Sequence, residues 1–309
     1  MRRKVLAWIG AAVAALCSLS TPALAVELIV NGDFELSTFA NGGDVTNNAA
    51  FAPFFDGSYG VGNGVAGSIY EFSPTDPNIP WGRNQLDGWT VNGYNFLFNG
   101  QADTRGSWNG YGAVKIAGPG SAAPEANGMP SNCNLAGCGG FFIGADGANE
   151  NGVSLAGPIS QTINGLTAGQ TYTVTFFWAA GQQDGAIYDG PTTERWDVTL
   201  SGIDSNSMAW SETQSTATWN NPVRGFKPWT QEAFTFTAQS TTATLSFLAQ
   251  GTPDGQPPFS LLDGVSMQAY VPEPQTWAMM MIGFALIGGV MRTRRTPVSG
   301  RRLLSSQIV

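Results

Sequence analysis

The chain has 309 residues, of which 12% are charged, with 40 glycines, 3 cysteines and no histidine. Without histidine there can be no Ser-His-Asp triad, no Cys-His dyad and no His-ligated zinc. The net charge of −8 is unevenly spread: between 26 and 270 six Lys and Arg stand against 21 Asp and Glu, a balance of −15, while both ends are basic. So acidic a body repels phosphate backbones and excludes a nucleic-acid partner.

Arg2, Arg3 and Lys4 precede an apolar run over 5–19, and Ala23 and Ala25 put small residues at −3 and −1 of a cut after Ala25. This is the pattern of a secretory signal peptide over 1–25, read by the export machinery as a short helix. Cys17 leaves with it. Cys133 and Cys138 remain in a Gly- and Asn-rich stretch. In an oxidising compartment they are expected to form a local disulfide, worth about 2 kcal/mol.

The exported body, 26–270, reads as one antiparallel β-sandwich. Tyr172, Val174, Phe176 and Trp178 alternate along one segment; Trp196, Val198 and Leu200 along the next; then Phe234 and Phe236, and Leu245 and Phe247. Period two with Gly, Asn and Pro between the runs gives strands with one buried and one wet face. The stretches 37–85 and 117–150 are rich in Gly, Asn and Pro and are expected to be long loops. Gly60, Gly62 and Gly64 follow no buried strand, and no basic residue stands near them, so they make a flexible loop and no phosphate cradle.

Catalytic signals are thin. Twenty-one acids make some pair inevitable, and none stands in a catalytic phrase. No catalytic residue is assigned and no enzyme is expected. Trp81, Trp108, Tyr111, Trp210, Trp219 and Trp229 lie in polar, Gly-rich surroundings. Such rings can cover the apolar face of a pyranose, although a packing role is expected for most of them.

At the far end Pro272, Glu273 and Pro274 form a stiff extended peptide. An uncharged run over 277–291 follows, then Arg292, Arg294 and Arg295. As a helix of about 22 Å the run is short for a bilayer, but Trp277 at the interface and snorkelling arginines extend its reach. A transmembrane helix with its basic side in the cytoplasm is expected, with 296–309 as a basic cytoplasmic tail.

These residues resemble the PEP-CTERM sorting signal in its PEPxxWA form, with Pro272, Glu273, Pro274, Trp277 and Ala278 matching position by position. The same tail is also called an ice-binding protein C-terminal motif, a label that does not show ice binding. The resemblance, over 271–295, implies a Gram-negative producer of exopolysaccharide and processing by an exosortase partner, a membrane-embedded transpeptidase. The protein would be anchored first and then reach the cell surface or the medium. Such tails usually stop soon after the arginines, whereas this chain continues for 14 residues.

Four phrases of the body, at 28–35, 86–91, 157–176 and 261–267, resemble the galactose-binding-like jelly rolls of carbohydrate-binding modules. That resemblance implies no catalytic cofactor. It does imply a structural calcium where the first and last strands meet, on Glu35 and Asp263 with Asp33 nearby; Gly264 stands where the family often has a second acid. Three readings remain, in order: a non-catalytic surface or extracellular-matrix protein associated with exopolysaccharide, a carbohydrate-binding module with a defined glycan, and a secreted hydrolase.

Overall fold

Alternating apolar and polar residues pair strands into sheets that bury one face, and here they do so twice. A computed structural model of the chain describes residues 26–35, 37–38, 69–71, 85–93, 95–99, 113–119, 141–150, 153–154, 156–184, 190–270 and 280–288. It divides into two units, Met1–Tyr270 and Val271–Val309.

The first unit contains seventeen strands among the described residues, all in antiparallel pairs. They are β1 (Ser37–Thr38), β2 (Ile69–Glu71), β3 (Gln85–Leu86), β4 (Thr90–Val91), β5 (Asn95–Asn99), β6 (Ala113–Lys115), β7 (Phe141–Asp146), β8 (Asn149–Glu150) and β9 (Val153–Ser154). The longer ones follow: β10 (Ile159–Asn164), β11 (Thr171–Asp184), β12 (Thr192–Ile203), β13 (Ala209–Ser215), β14 (Trp219–Asn221), β15 (Lys227–Thr237), β16 (Thr242–Thr252) and β17 (Pro258–Ala269). A six-stranded sheet runs β13-β12-β16-β10-β4, with β14 on β12. A seven-stranded sheet runs β15-β11-β17-β7-β5-β2, with β6 on β11. From β10 onward the chain passes back and forth between the sheets, the jelly-roll manner of winding. The antiparallel β-sandwich read from the sequence is therefore the fold observed.

Between the sheets lies a core that includes Val174, Phe176, Trp178, Trp196, Val198, Leu200, Leu245 and Phe247. The six-stranded sheet keeps strict alternation, as in β12 and β16, because its other face is wet. The seven-stranded sheet is covered on both faces over part of its width, while β15 keeps an exposed face. Phe177 and Ala179 of β11, Phe98, Phe142, Phe259 and Leu261 point away from the main core into a second apolar cluster with Trp229 and Ile116.

β7 and its place in that second cluster correct the expectation of loops at the end of 117–150; most of 117–140 and of 37–85 lies outside the described residues. β7 is paired with β17 and β5, and every residue of it is buried. A strand buried on both faces has no alternation to read. Its Gly144 is required by close packing, since a Cβ there would stand 2.5 Å from a Phe98 ring carbon. β1 and β2 fall in 37–85.

In the second unit, residues 280–288 form a helix rising about 13 Å. Met280, Met281, Ile282, Phe284, Leu286 and Ile287 are exposed on it. Among the described residues no helix is long and apolar enough to cross a membrane.

Candidate functional site: an acidic junction of the first and last segments

The first described segment, 26–35, docks on the last strand. Leu28 N donates to Met267 O at 3.0 Å and Val265 N donates to Gly32 O at 2.8 Å. Glu27 clamps the docking, its carboxylate accepting from Leu28 N at 3.0 Å, Ile29 N at 2.9 Å and Met267 N at 2.9 Å. Gly32 sits so close to β17 that a Cβ would overlap the Val265 carbonyl oxygen. The chain then turns sharply, with Asn31 and Phe34 at φ of 53° and 58°. For a bulky Phe this left-handed conformation costs on the order of 1 kcal/mol or more, so the surroundings must hold it.

Trp89 provides that hold. Its ring lies 5.5 Å from Phe34 and 6.3 Å from Phe247, and its Nε1 donates to Asn31 O at 2.9 Å. Asn31 Nδ2 donates to Asp87 O at 3.0 Å. Gln161 pairs with Val30 in both directions, donating to its carbonyl and accepting from its N–H at 2.8 Å each. The four phrases at 28–35, 86–91, 157–176 and 261–267 thus meet at one place.

Three carboxyl groups collect there. Asp263 is 1% exposed; its Oδ1 accepts from Gly264 N at 2.7 Å, and its Oδ2 has no hydrogen-bond partner. The β11–β17 register shifts between Thr175 and Phe177, opposite Ser266 and Asp263, so β17 carries an extra residue. Gly264 supplies the positive φ of 58° at this bulge. A second acid at 264 would be strained, which gives Gly a backbone reason to stand there. Burial drives the Asp263 carboxyl well above the ordinary range, and the charges of Glu35 and Asp33 push it the same way. Glu35 accepts from Phe141 N at 2.6 Å, yet burial raises it to about 7, with Asp33 adding to the rise. Of the three acids named from the sequence, Asp33 and Glu35 thus both act on Asp263, and Asp33 acts on Glu35. Among the described residues no group of three or more His, Cys, Asp or Glu is set as a ready metal shell.

The other candidates fare differently. Trp229 is buried in the second cluster, its Nε1 donating to Ala117 O at 2.7 Å, and Trp210 is buried with its Nε1 on Ser240 Oγ at 3.3 Å. Both are packing residues. Trp219 is 37% exposed and can be reached. Trp81, Trp108, Tyr111, the cleavage residues Ala23 and Ala25, and Cys133 and Cys138 lie outside the described residues. So do Pro272, Glu273, Pro274, Trp277, Ala278, Arg292, Arg294 and Arg295. Sequence reasoning missed Glu27 and did not single out Gln161. Gln161 carried a signal: it is a polar residue at a buried position of an alternating strand, between Ile159 and Ile163.

Residues 271–295 match the family described as PEP-CTERM protein-sorting motif. Comparison with curated proteins finds no match. Three similar solved structures are distant likenesses. The C-terminal family 22 carbohydrate-binding module of Clostridium thermocellum Xyn10B is 14% identical, with a TM-score of 0.32, over 61% of this chain and 91% of that one. A structure titled "CBM4 structure and function" is 15% identical, with a TM-score of 0.28, over 78% and 99%. The enzymatically active domain of tailspike protein 4 from bacteriophage CBA120 is 15% identical, with a TM-score of 0.31, over 60% of this chain and only 20% of its own. The chain carries a PEP-CTERM sorting motif immediately after its β-sandwich.

Proposed function

We propose that this is an exported, exosortase-sorted, non-catalytic β-sandwich of the cell surface or extracellular matrix, associated with exopolysaccharide. The observation that carries the reading is the sorting motif at 271–295, directly after the last described residue of the sandwich, Tyr270. A processing enzyme at the membrane needs an extended, accessible peptide, which two prolines around Glu273 supply. Association with polysaccharide falls to exposed aromatics, of which Trp219 is the one indole both described and exposed. Several of the similar solved structures are carbohydrate-binding modules by title; a glycan ligand of defined sequence is the second reading, favoured by the same exposed indole.

The acidic junction is read as a structural calcium site. The partnerless, fully buried Asp263 Oδ2 is the feature that fits an ion; Glu35 and Asp33, which are not grouped with it as a metal shell, would have to close on the ion to hold it. The ion would supply positive charge among three acids and fasten the first segment to the last strand. Further oxygens would come from backbone carbonyls or water, as hard cations accept.

The sorting claim is tested by replacing Pro272, Glu273 and Pro274 with Ala in a host that has an exosortase. Export should persist while release from the membrane stops, as it should for the wild-type chain in an exosortase-deleted host. Equal release of both chains in both hosts refutes the reading.

A further inference from the structure

The exposed indole Trp219 stands on β14, which pairs with β12 through Thr192 with Asn221, Thr193 with Asn220 and Glu194 with Trp219. So short a pairing holds a strand poorly, and what lies beneath it decides whether the ring is presented. Cross-strand partners share a face, so Asn221 joins Thr192 and Glu194 on the inner face, and all three are buried. Gln182 reaches in from β11 of the other sheet. Its Nε2 donates to Thr192 Oγ1 at 3.1 Å and to Pro222 O at 3.0 Å, while its Oε1 accepts from Arg224 N at 2.6 Å. Thr192 Oγ1 in turn donates to Glu194 Oε1. A Cβ at Gly225 would overlap Asn221 Oδ1, so the turn over 222–225 closes directly on this network.

We propose that Glu194 is a positioning residue for Trp219: with Thr192, Asn221 and Gln182 it latches β14 and the following turn while it carries its proton, and its ionisation opens the latch. The inference rests on the reading of Trp219 as a polysaccharide contact and names the regulation of that contact. Glu194 is 0% exposed. Charging an acid there is costly, and Thr192 and Asn221 offset only part of that cost, so burial raises the carboxyl to about 8. Charged groups on the surrounding elements are Arg195 and Asp197, paired at 2.9 Å on the outer face of β12, Lys115 opposite Gln182 on β6, and Asp184 farther along β11. Arg224 stands in the turn, Asp146 on β7 and Asp263 on β17, while β14 and 249–252 of β16 carry none. β12 itself is tied to β16 by register pairs from Thr193 to Ser201. An ionised Glu194 therefore reaches water by release of β14 and its turn rather than of β12. The proton is held more tightly in the fold, at about 8, than at the ordinary 4.5, so it favours the closed latch fully below about 4.5 and ceases to as pH rises through about 8.

The test follows tryptic cleavage after the exposed Arg224 in the full chain as pH is raised, scaled to a free peptide of the same turn to remove trypsin's own pH profile. In wild type the rate should rise about tenfold between pH 7 and 9, as the ionised share of Glu194 does, through a single step near 8. Cleavage after Arg195, in β12, should stay flat. Retention on polysaccharide should fall over the same range. Glu194→Gln, which keeps the shape and cannot ionise, should stay resistant after Arg224 and keep its retention, whereas Glu35→Gln should show the wild-type step. Carbon-13 NMR of the glutamate carboxyls reads the same proton without a variant: one carbon should titrate near 8. No such carbon, a flat wild-type cleavage profile, or an equal step in Glu194→Gln overturns the latch. A step present in wild type and absent in Glu194→Gln, with no retention at any pH, upholds the latch and overturns the polysaccharide reading of Trp219.

Discussion

Trp89→Phe separates the packing of the first segment from the rest of the fold. The substitution keeps a ring against Phe34 and Phe247 but removes the indole N–H that reaches Asn31 O. Asn31 O retains the longer bond from Phe34 N at 3.3 Å, so it is weakened rather than orphaned. The lost bond is worth about 1 kcal/mol and the smaller ring about 1 kcal/mol more in buried area. A total of about 2 kcal/mol lowers Tm by roughly 4–8 °C in a domain of this size. Urea unfolding followed by far-UV circular dichroism measures the loss. Hydrogen exchange locates it, because the Leu28 and Val265 amides that tie the segment to β17 should lose protection before those of β12. A loss below about 0.5 kcal/mol, with Leu28 and Val265 exchange unchanged, would show that Trp89 does not hold the segment.

Other outcomes follow from the same geometry. Gly32→Ala drives a methyl into the Val265 carbonyl and should cost about 3 kcal/mol or more, read as a urea midpoint shift. Calcium-free stability should fall as pH rises from 5 to 8. Glu35 binds its proton more tightly folded, at about 7, than at its ordinary 4.5, so its contribution is full below about 4.5 and lost through about 7. Because Glu35 is partly exposed the effect is on the order of 1–2 kcal/mol, and Glu35→Gln should flatten it, as should calcium. Trp229→Ala should cost about 3–5 kcal/mol in unfolding assays. Trp219→Ala should cost less than about 1 kcal/mol while reducing retention on polysaccharide in a pull-down.

The sandwich was legible along strands with one wet face and apolar residues on the other, as over 196–200 of β12 and 244–247 of β16, where sequence and burial alternate together. β7 was illegible because both its faces are covered, and its Gly144 reads as a loop signal until Phe98 is seen against it. Asp33, Glu35 and Asp263 were legible only as a family likeness, since they are far apart in sequence and meet only after 26–35 docks on β17. Buried Glu194 gave one clue, an acid in register with Trp196 and Val198, but the hydrogen bonds that surround it depend on Gln182 arriving from the other sheet. Trp210 and Trp229 have polar neighbours in sequence but apolar ones in space, and both take the packing role expected for most of the six rings.

The intact mass of the protein recovered from the extracellular or surface fraction of an exosortase-positive cell tests the central claim most directly. The account predicts a body that begins at residue 26 and ends near Pro272–Pro274, with or without a transferred group. A body running from 26 to 309 in that fraction would contradict it.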